Sequence, residues 1–174
     1  MDNSESSDEQ SLSLPSIHVS LTSSPLSATT ALSRIKSPKA GAVVLFAGCT
    51  RDTFNSKSVL HLTYSCYAAL ALRSMQKIAK EVHEKHGLVA ISITHRLGQV
   101  DVGEESVLIA VSAPHRAAAW RAGEECLELV KERVEIWKEE RFEDGGVWRS
   151  NRDGQAGVPV ESAKGESDEA GGGK

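Results

Sequence analysis

Lys131 and Lys138 stand seven residues apart in the stretch VKERVEIWKEE, and the basic pair His115-Arg116 stands upstream of them. Residues i and i+7 fall on one face of an α-helix, so a helix through this stretch aims both ammonium groups the same way. Ser112 and Pro114 signal a helix start and place His115 and Arg116 in its first turn. Cations are disfavoured there by roughly 0.3–1 kcal/mol each, because the macrodipole is positive at that end. The free N–H groups of a first turn bind anions. A His-Arg pair in that place makes sense when an anionic ligand such as a phosphate neutralises it. Arg51 adds a further cation just past the apolar run GAVVLFAG, at the start of a polar loop. With few acids on the same faces, these groups form a candidate anion pocket. Each piece taken alone has an ordinary reading. The lysines suit a solvated helix face, and His115-Arg116 suits a cap or an ion pair. Their joint occurrence favours the pocket.

The elements that must position these residues follow from hydrophobic period. The chain of 174 residues is long enough for one domain with its own core. Its net charge of −4 is unevenly spread: residues 1–16 carry four acids and no base, and residues 153–174 carry five acids and two lysines. Residues 17–152 hold 18 bases and 15 acids, a mildly basic body that suits a small anionic ligand or an acidic partner. No arginine-rich run with interleaved aromatics is present, which argues against nucleic acid. The reading is of a domain over 16–152 between disordered tails, 1–15 acidic and 153–174 Gly-rich and acidic.

Cys49, Cys66 and Cys126 are odd in number and lack metal-ligand spacing, so no disulfide framework, metal or cofactor is expected. No apolar run approaches 18 residues and the N-terminus has no basic n-region, so a cytosolic protein off the membrane is expected.

Between the tails, strands are expected at Ile17–Leu21, Gly41–Gly48, Leu60–Cys66, Val89–Ile93 and Ser106–Val111. Helices are expected over Ser27–Ile35, Ala68–His86 with Gly87 as its C-cap, and Ala117 to about Arg141. Gly41–Gly48 reads as a central strand, Arg51–Ser58 as a mobile loop, and Trp137 as a core residue rather than a ligand platform. Strands that follow one another without a helix pair antiparallel. The fold class is therefore α+β, helices packed on a mostly antiparallel sheet.

These segments together resemble the catalytic (large) subunit family of molybdopterin synthase. The resemblance runs from about Gly41 to Trp148. It is carried by GAVVLFAG with Arg51, HRLG at His95–Gly98, the V-G-E turn at Val102–Glu104, HRAAAW at His115–Trp120, and Lys131 with Trp137-Lys138-Glu139-Glu140.

The resemblance implies an α/β hammerhead-like fold and a sulfurtransferase. The family installs the dithiolene of molybdopterin on cyclic pyranopterin monophosphate. Sulfur arrives as a thiocarboxylate on the C-terminal Gly-Gly of a small ubiquitin-like subunit, and two large subunits form a dimer with one small subunit at each end. It implies Lys131 and Lys138 as catalytic groups. It implies Arg51, His115, Arg116, Lys131, Lys138, Glu139 and Glu140 as substrate-binding groups. The family's usual Tyr-Glu-x-Tyr stretch is here Tyr64-Ser65-Cys66-Tyr67, without the acid. The alternative is a non-catalytic α+β module that binds a phosphorylated small molecule or a partner's C-terminal tail.

Overall fold

The computed structural model of the protein describes residues 8–150 and 158–159. In chain order the elements are β1 (Gln10–Leu14), β2 (Ile17–Thr22), α1 (Ala28–Ile35), β3 (Ala42–Cys49), β4 (Thr53–Phe54), β5 (Lys57–Cys66) and α2 (Ala68–His86). There follow β6 (Ala90–Arg96), β7 (Gly98–Asp101), β8 (Glu105–Ala113), α3 (Arg116–Arg133), β9 (Ile136–Phe142), β10 (Gly145–Ser150) and β11 (Val158–Pro159). The strands form two sheets, so the expected α+β class is found. One sheet runs β1-β2-β6-β8-β3, and the other runs β11-β10-β9-β5-β4 with β7 also paired to β5. Only the β2–β6 pair is parallel among the described residues.

The first sheet is covered on both faces, and β8 shows why its sequence is a continuous apolar run. Val107, Ile109 and Val111 face the main core with α2 and α3, while Leu108 and Ala110 pack with Ala31 and Ile35 of α1. Ser27 caps α1, its hydroxyl accepting from the Thr30 N–H at 3.2 Å. Gly87 ends α2 at φ +59°, a left-handed conformation that glycine adopts without a Cβ penalty. Charge then fastens α2 to α3: Lys85 and His86 reach Glu125 at 2.6 and 2.7 Å, and Arg133 reaches Glu81 at 2.8 Å.

Several expectations are corrected here. The last helix stops at Arg133 instead of about Arg141, and residues 136–142 are a strand. Lys131 and Lys138 therefore do not share a helix face. Gly41–Gly48 is not central: β3 is the edge of its sheet, with Val43 exposed. The supposed loop after Arg51 is a hairpin, β4–β5, turned by Asn55 and Ser56, both at positive φ. Trp137 is 48% exposed rather than in the core. Gln10–Leu14, counted above with the acidic tail 1–15, pair antiparallel with β2, and Glu9 bonds Arg34 at 2.9 Å. Val158–Pro159, counted with the tail 153–174, pair with β10, and the rest of that tail and residues 1–7 lie outside the described residues. No helix among the described residues is long and apolar enough to cross a membrane.

The α2–α3 clasp has a defined pH dependence. Hydrogen bonds from Lys85 and then His86 hold the Glu125 carboxyl below its usual pKa. A lowered carboxylate pKa gives stability that is fully present above the ordinary glutamate value of about 4.3 and is lost as pH falls through the native value. Lys85 is largely exposed, so the effect stays below about 1 kcal/mol. Glu125→Gln should lower the melting temperature by a few degrees at neutral pH and by nothing once the native carboxyl is protonated. Calorimetry of both proteins across the acid range checks this.

Candidate active site

A cavity of about 500 Å³ opens where the end of β3, the C-terminal end of α3 and the β5–β9 pair come together. Arg51 from the segment between β3 and β4, Lys131 from α3 and Lys138 from β9 all line it.

Arg51 is placed by its neighbour. Thr50 is 3% exposed, and its backbone N–H donates to the Glu104 carbonyl at 3.0 Å. Its own carbonyl accepts from the Gly103 N–H at 2.9 Å, and its hydroxyl donates to the Val100 carbonyl at 3.4 Å. The turn it grips is fixed in turn by Arg96, whose guanidinium donates to Glu104 Oε2 at 2.8 Å. The V-G-E turn and the arginine of HRLG thus hold the root of Arg51. The guanidinium of Arg51 lies 6.0 Å from the ring of Phe54, which also lines the cavity.

Lys131 sits in the last turn of α3. The negative end of the helix dipole favours a cation there.

Lys138 owes its place to strand pairing. On β9, residues 138 and 140 point to one face and 137, 139 and 141 to the other. The register sets Lys138 opposite Tyr64 and Glu140 opposite Leu62, and these four side chains line the cavity. The Lys138 ammonium is 3.4 Å from Glu140 Oε1.

Glu140 is thus in the cavity. It partners Lys138. Glu139 does not line the cavity: it lies on the opposite face of β9, 2.6 Å from Arg141, under Gly146, where a Cβ would come within 2.6 Å of its Oε1.

His115 and Arg116 stand apart from this cavity. They stand where the sequence put them, at the start of α3, with His115 as N-cap and both exposed. That is the wrong end for this cavity. Fifteen residues of helix separate Arg116 from Lys131, about 22 Å at 1.5 Å per residue. They do not line the pocket.

Sequence reasoning missed the cavity's other wall. Phe46, Phe54, Val59, Leu62, Leu127 and Val130 give it an apolar side, and Tyr64 and His95 lie in it as a buried pair. Alternation along Leu62 and Tyr64 was visible, but which sheet face they would meet was not.

Three cations against one carboxylate, among apolar side chains, suit a ligand that carries both anionic and apolar parts. Fold and cavity define a small α+β protein with a pocket lined by cations and apolar side chains. The family described as MoaE protein matches residues 21–133. The molybdopterin synthase catalytic subunit of Neurospora crassa is 56% identical over 163 residues, 91% of this chain and 79% of its own length. The crystal structure of molybdopterin synthase from Staphylococcus aureus superposes with a TM-score of 0.71 at 36% identity, covering 74% of this chain and 94% of that one. A chain from the complex of subunits 1 and 2 of the Helicobacter pylori molybdopterin-converting factor shares the fold, with a TM-score of 0.53 at 21% identity, covering 72% of this chain and 75% of that one. The chain belongs to the MoaE family of molybdopterin synthase catalytic subunits. It is an enzyme subunit of molybdenum cofactor biosynthesis.

The Glu140–Lys138 pair makes a prediction with two opposite signs. Glu140→Gln removes the only lining carboxylate among the described residues, so inorganic phosphate should bind about two- to fivefold more tightly, the effect of roughly 0.5–1 kcal/mol of partly screened charge. Turnover should fall, because Lys138 loses the group that orients it. Phosphate titration by calorimetry and product assay on the same preparation check both signs.

Proposed function

We propose that this chain transfers sulfur from the C-terminal thiocarboxylate of a small ubiquitin-like subunit to cyclic pyranopterin monophosphate, forming the dithiolene of molybdopterin. The observation that carries the reading is the convergence of Arg51, Lys131 and Lys138, from a connecting segment, a helix and a strand, on one cavity that is also lined by apolar side chains. Both reactants are anions, and one carries a flat ring system that suits the wall. Lys131 is the group nearest the chemistry: its ammonium stabilises charge that builds on oxygen as sulfur attacks carbon. Lys138, held by Glu140, acts beside it on the same developing charge, and Arg51 binds the anionic groups.

The partner's tail enters through the mouth of this cavity, in the cytosol. The Helicobacter pylori complex of two subunits supports an assembly of this kind. His115 and Arg116 contribute to substrate binding through a second copy of the chain. At about 22 Å along α3 they are out of reach of their own cavity, and the two-fold dimer within a heterotetramer brings an exposed helix start to the neighbour's site.

Lys131→Ala should fold normally and lose at least about a hundredfold in turnover, as removal of a transition-state charge partner does. The assay mixes the protein with thiocarboxylated partner and the pterin substrate and reads the mass shift of the product. Wild-type turnover by the folded variant would sink the role of Lys131.

A complementation test addresses His115 and Arg116. Arg116→Ala should weaken substrate binding about ten- to a hundredfold, the value of a charge-assisted hydrogen bond to phosphate. When Arg116→Ala and Lys131→Ala chains are mixed and allowed to exchange, half of the dimers are mixed and each regains one intact site. About a quarter of wild-type activity should return, by the symmetry of a two-fold dimer. If each site uses its own chain's Arg116, nothing returns.

A further inference from the structure

His95 lines the cavity but takes no part in the chemistry outlined above. It stands on β6, 1% exposed, on the same face as Ile91 and Ile93 and paired across to Val107. An isoleucine or leucine would fill such a place, as its neighbours do. A buried imidazole carries a desolvation cost that apolar packing alone does not offset. Two features give the ring a fixed setting. Its Nδ1–H donates to the Arg96 carbonyl at 2.8 Å, which sets the tautomer and the tilt. Its edge meets the ring of Tyr64, with centroids 4.9 Å apart and planes at 70°. Burial pushes its pKa down to about 4, so the ring stays neutral among the cavity's cations.

Tyr64 belongs to the other sheet. It is 6% exposed and stands directly opposite Lys138 in the β5–β9 register, so their Cβ atoms are neighbours. The His95–Tyr64 contact therefore joins the two sheets at the cavity and ends beside Lys138. We infer that His95 is a positioning residue, which through its edge-on contact with Tyr64 fixes where the Lys138 ammonium stands in the cavity. The inference rests on the reading that Lys138 serves the sulfur transfer. It assigns His95 no contact with substrate.

The test uses the full chain with its partner and substrate. His95→Asn keeps a donor for the Arg96 carbonyl and removes the ring; Tyr64→Leu keeps apolar volume and removes the ring that His95 meets. Each should lower kcat about ten- to a hundredfold, the cost of a small misplacement, and leave KM within about twofold. The double variant should lose no more than either single one, because the two residues act as a unit.

A readout without substrate comes from 13C-dimethylated lysines, with the Lys138 signal assigned by Lys138→Arg. That signal should shift in both variants. If one variant fails to fold, the other carries the test. Wild-type kcat in a folded variant, additive losses, or an unmoved Lys138 signal overturns the inference. If Lys138→Ala itself turns over normally, the role of Lys138 in the transfer fails, while its signal still shows whether His95 places it.

Discussion

The pairing of β9 with β5 is the constraint on which the site depends. α3 delivers Lys131 to one edge of the cavity, but nothing in α3 places a second lysine there. The chain leaves the helix at Val134 and pairs with β5, Ile136 against Cys66 through Phe142 against Val59, with one register shift between Val59 and His61. Strand alternation then makes the outcome binary: one residue of slip would turn Lys138 and Glu140 out of the cavity and Trp137 and Glu139 into it. Register is protected at both ends. Ile136 and Phe142 are buried, 2% and 5% exposed, and both lie on the cavity face. Gly145 at φ +136° turns the chain into β10, and Gly146 leaves room for the Glu139–Arg141 pair on the far face.

Gathering three cations costs free energy, and the local structure lowers that cost at each one. Lys131 takes the negative end of a helix dipole. Lys138 has a carboxylate 3.4 Å away. Arg51 keeps an aromatic face at 6.0 Å and a root tied by three hydrogen bonds through Thr50. The tie matters because a long side chain gives up rotamer entropy when it is fixed, and a rigid backbone leaves less of that cost to the moment of binding.

The site's residue types were legible in the sequence, and its geometry was only partly so. Arg51, Lys131 and Lys138 could be picked as an anion site from charge and spacing, and His115-Arg116 falls at a helix start as its flanking residues signalled. The stretch VKERVEIWKEERF misled, because Glu, Lys and Arg favour helix while the alternation Ile136, Lys138, Glu140, Phe142 favours strand. Tertiary pairing with a strand some 70 residues upstream decided it, and local propensity carries no trace of such a partner. The run GAVVLFAG misled for a related reason. A strand whose faces are partly covered reads as apolar whether or not its edge is paired, so sequence gave no means to place β3 at the margin of its sheet. The separation of His115-Arg116 from Lys131 followed from helix length alone, and the false continuation to residue 141 put Lys131 and Lys138 on one helix face.

Separation along α3 also keeps the basic groups at its two ends from repelling each other. His115 and Arg116, exposed at one end, are water-screened, and at about 22 Å they lie beyond the roughly 8–10 Å over which charges interact in physiological salt. The repulsion that remains is confined to the cavity. There the apolar wall lowers the effective dielectric, which strengthens repulsion in the empty site and attraction in the filled one. An anion that enters gains on both counts, whereas a neutral molecule of the same shape gains on neither. The arrangement therefore selects by charge first and by shape second, and the two sheets that frame the cavity meet in it through Tyr64 and His95.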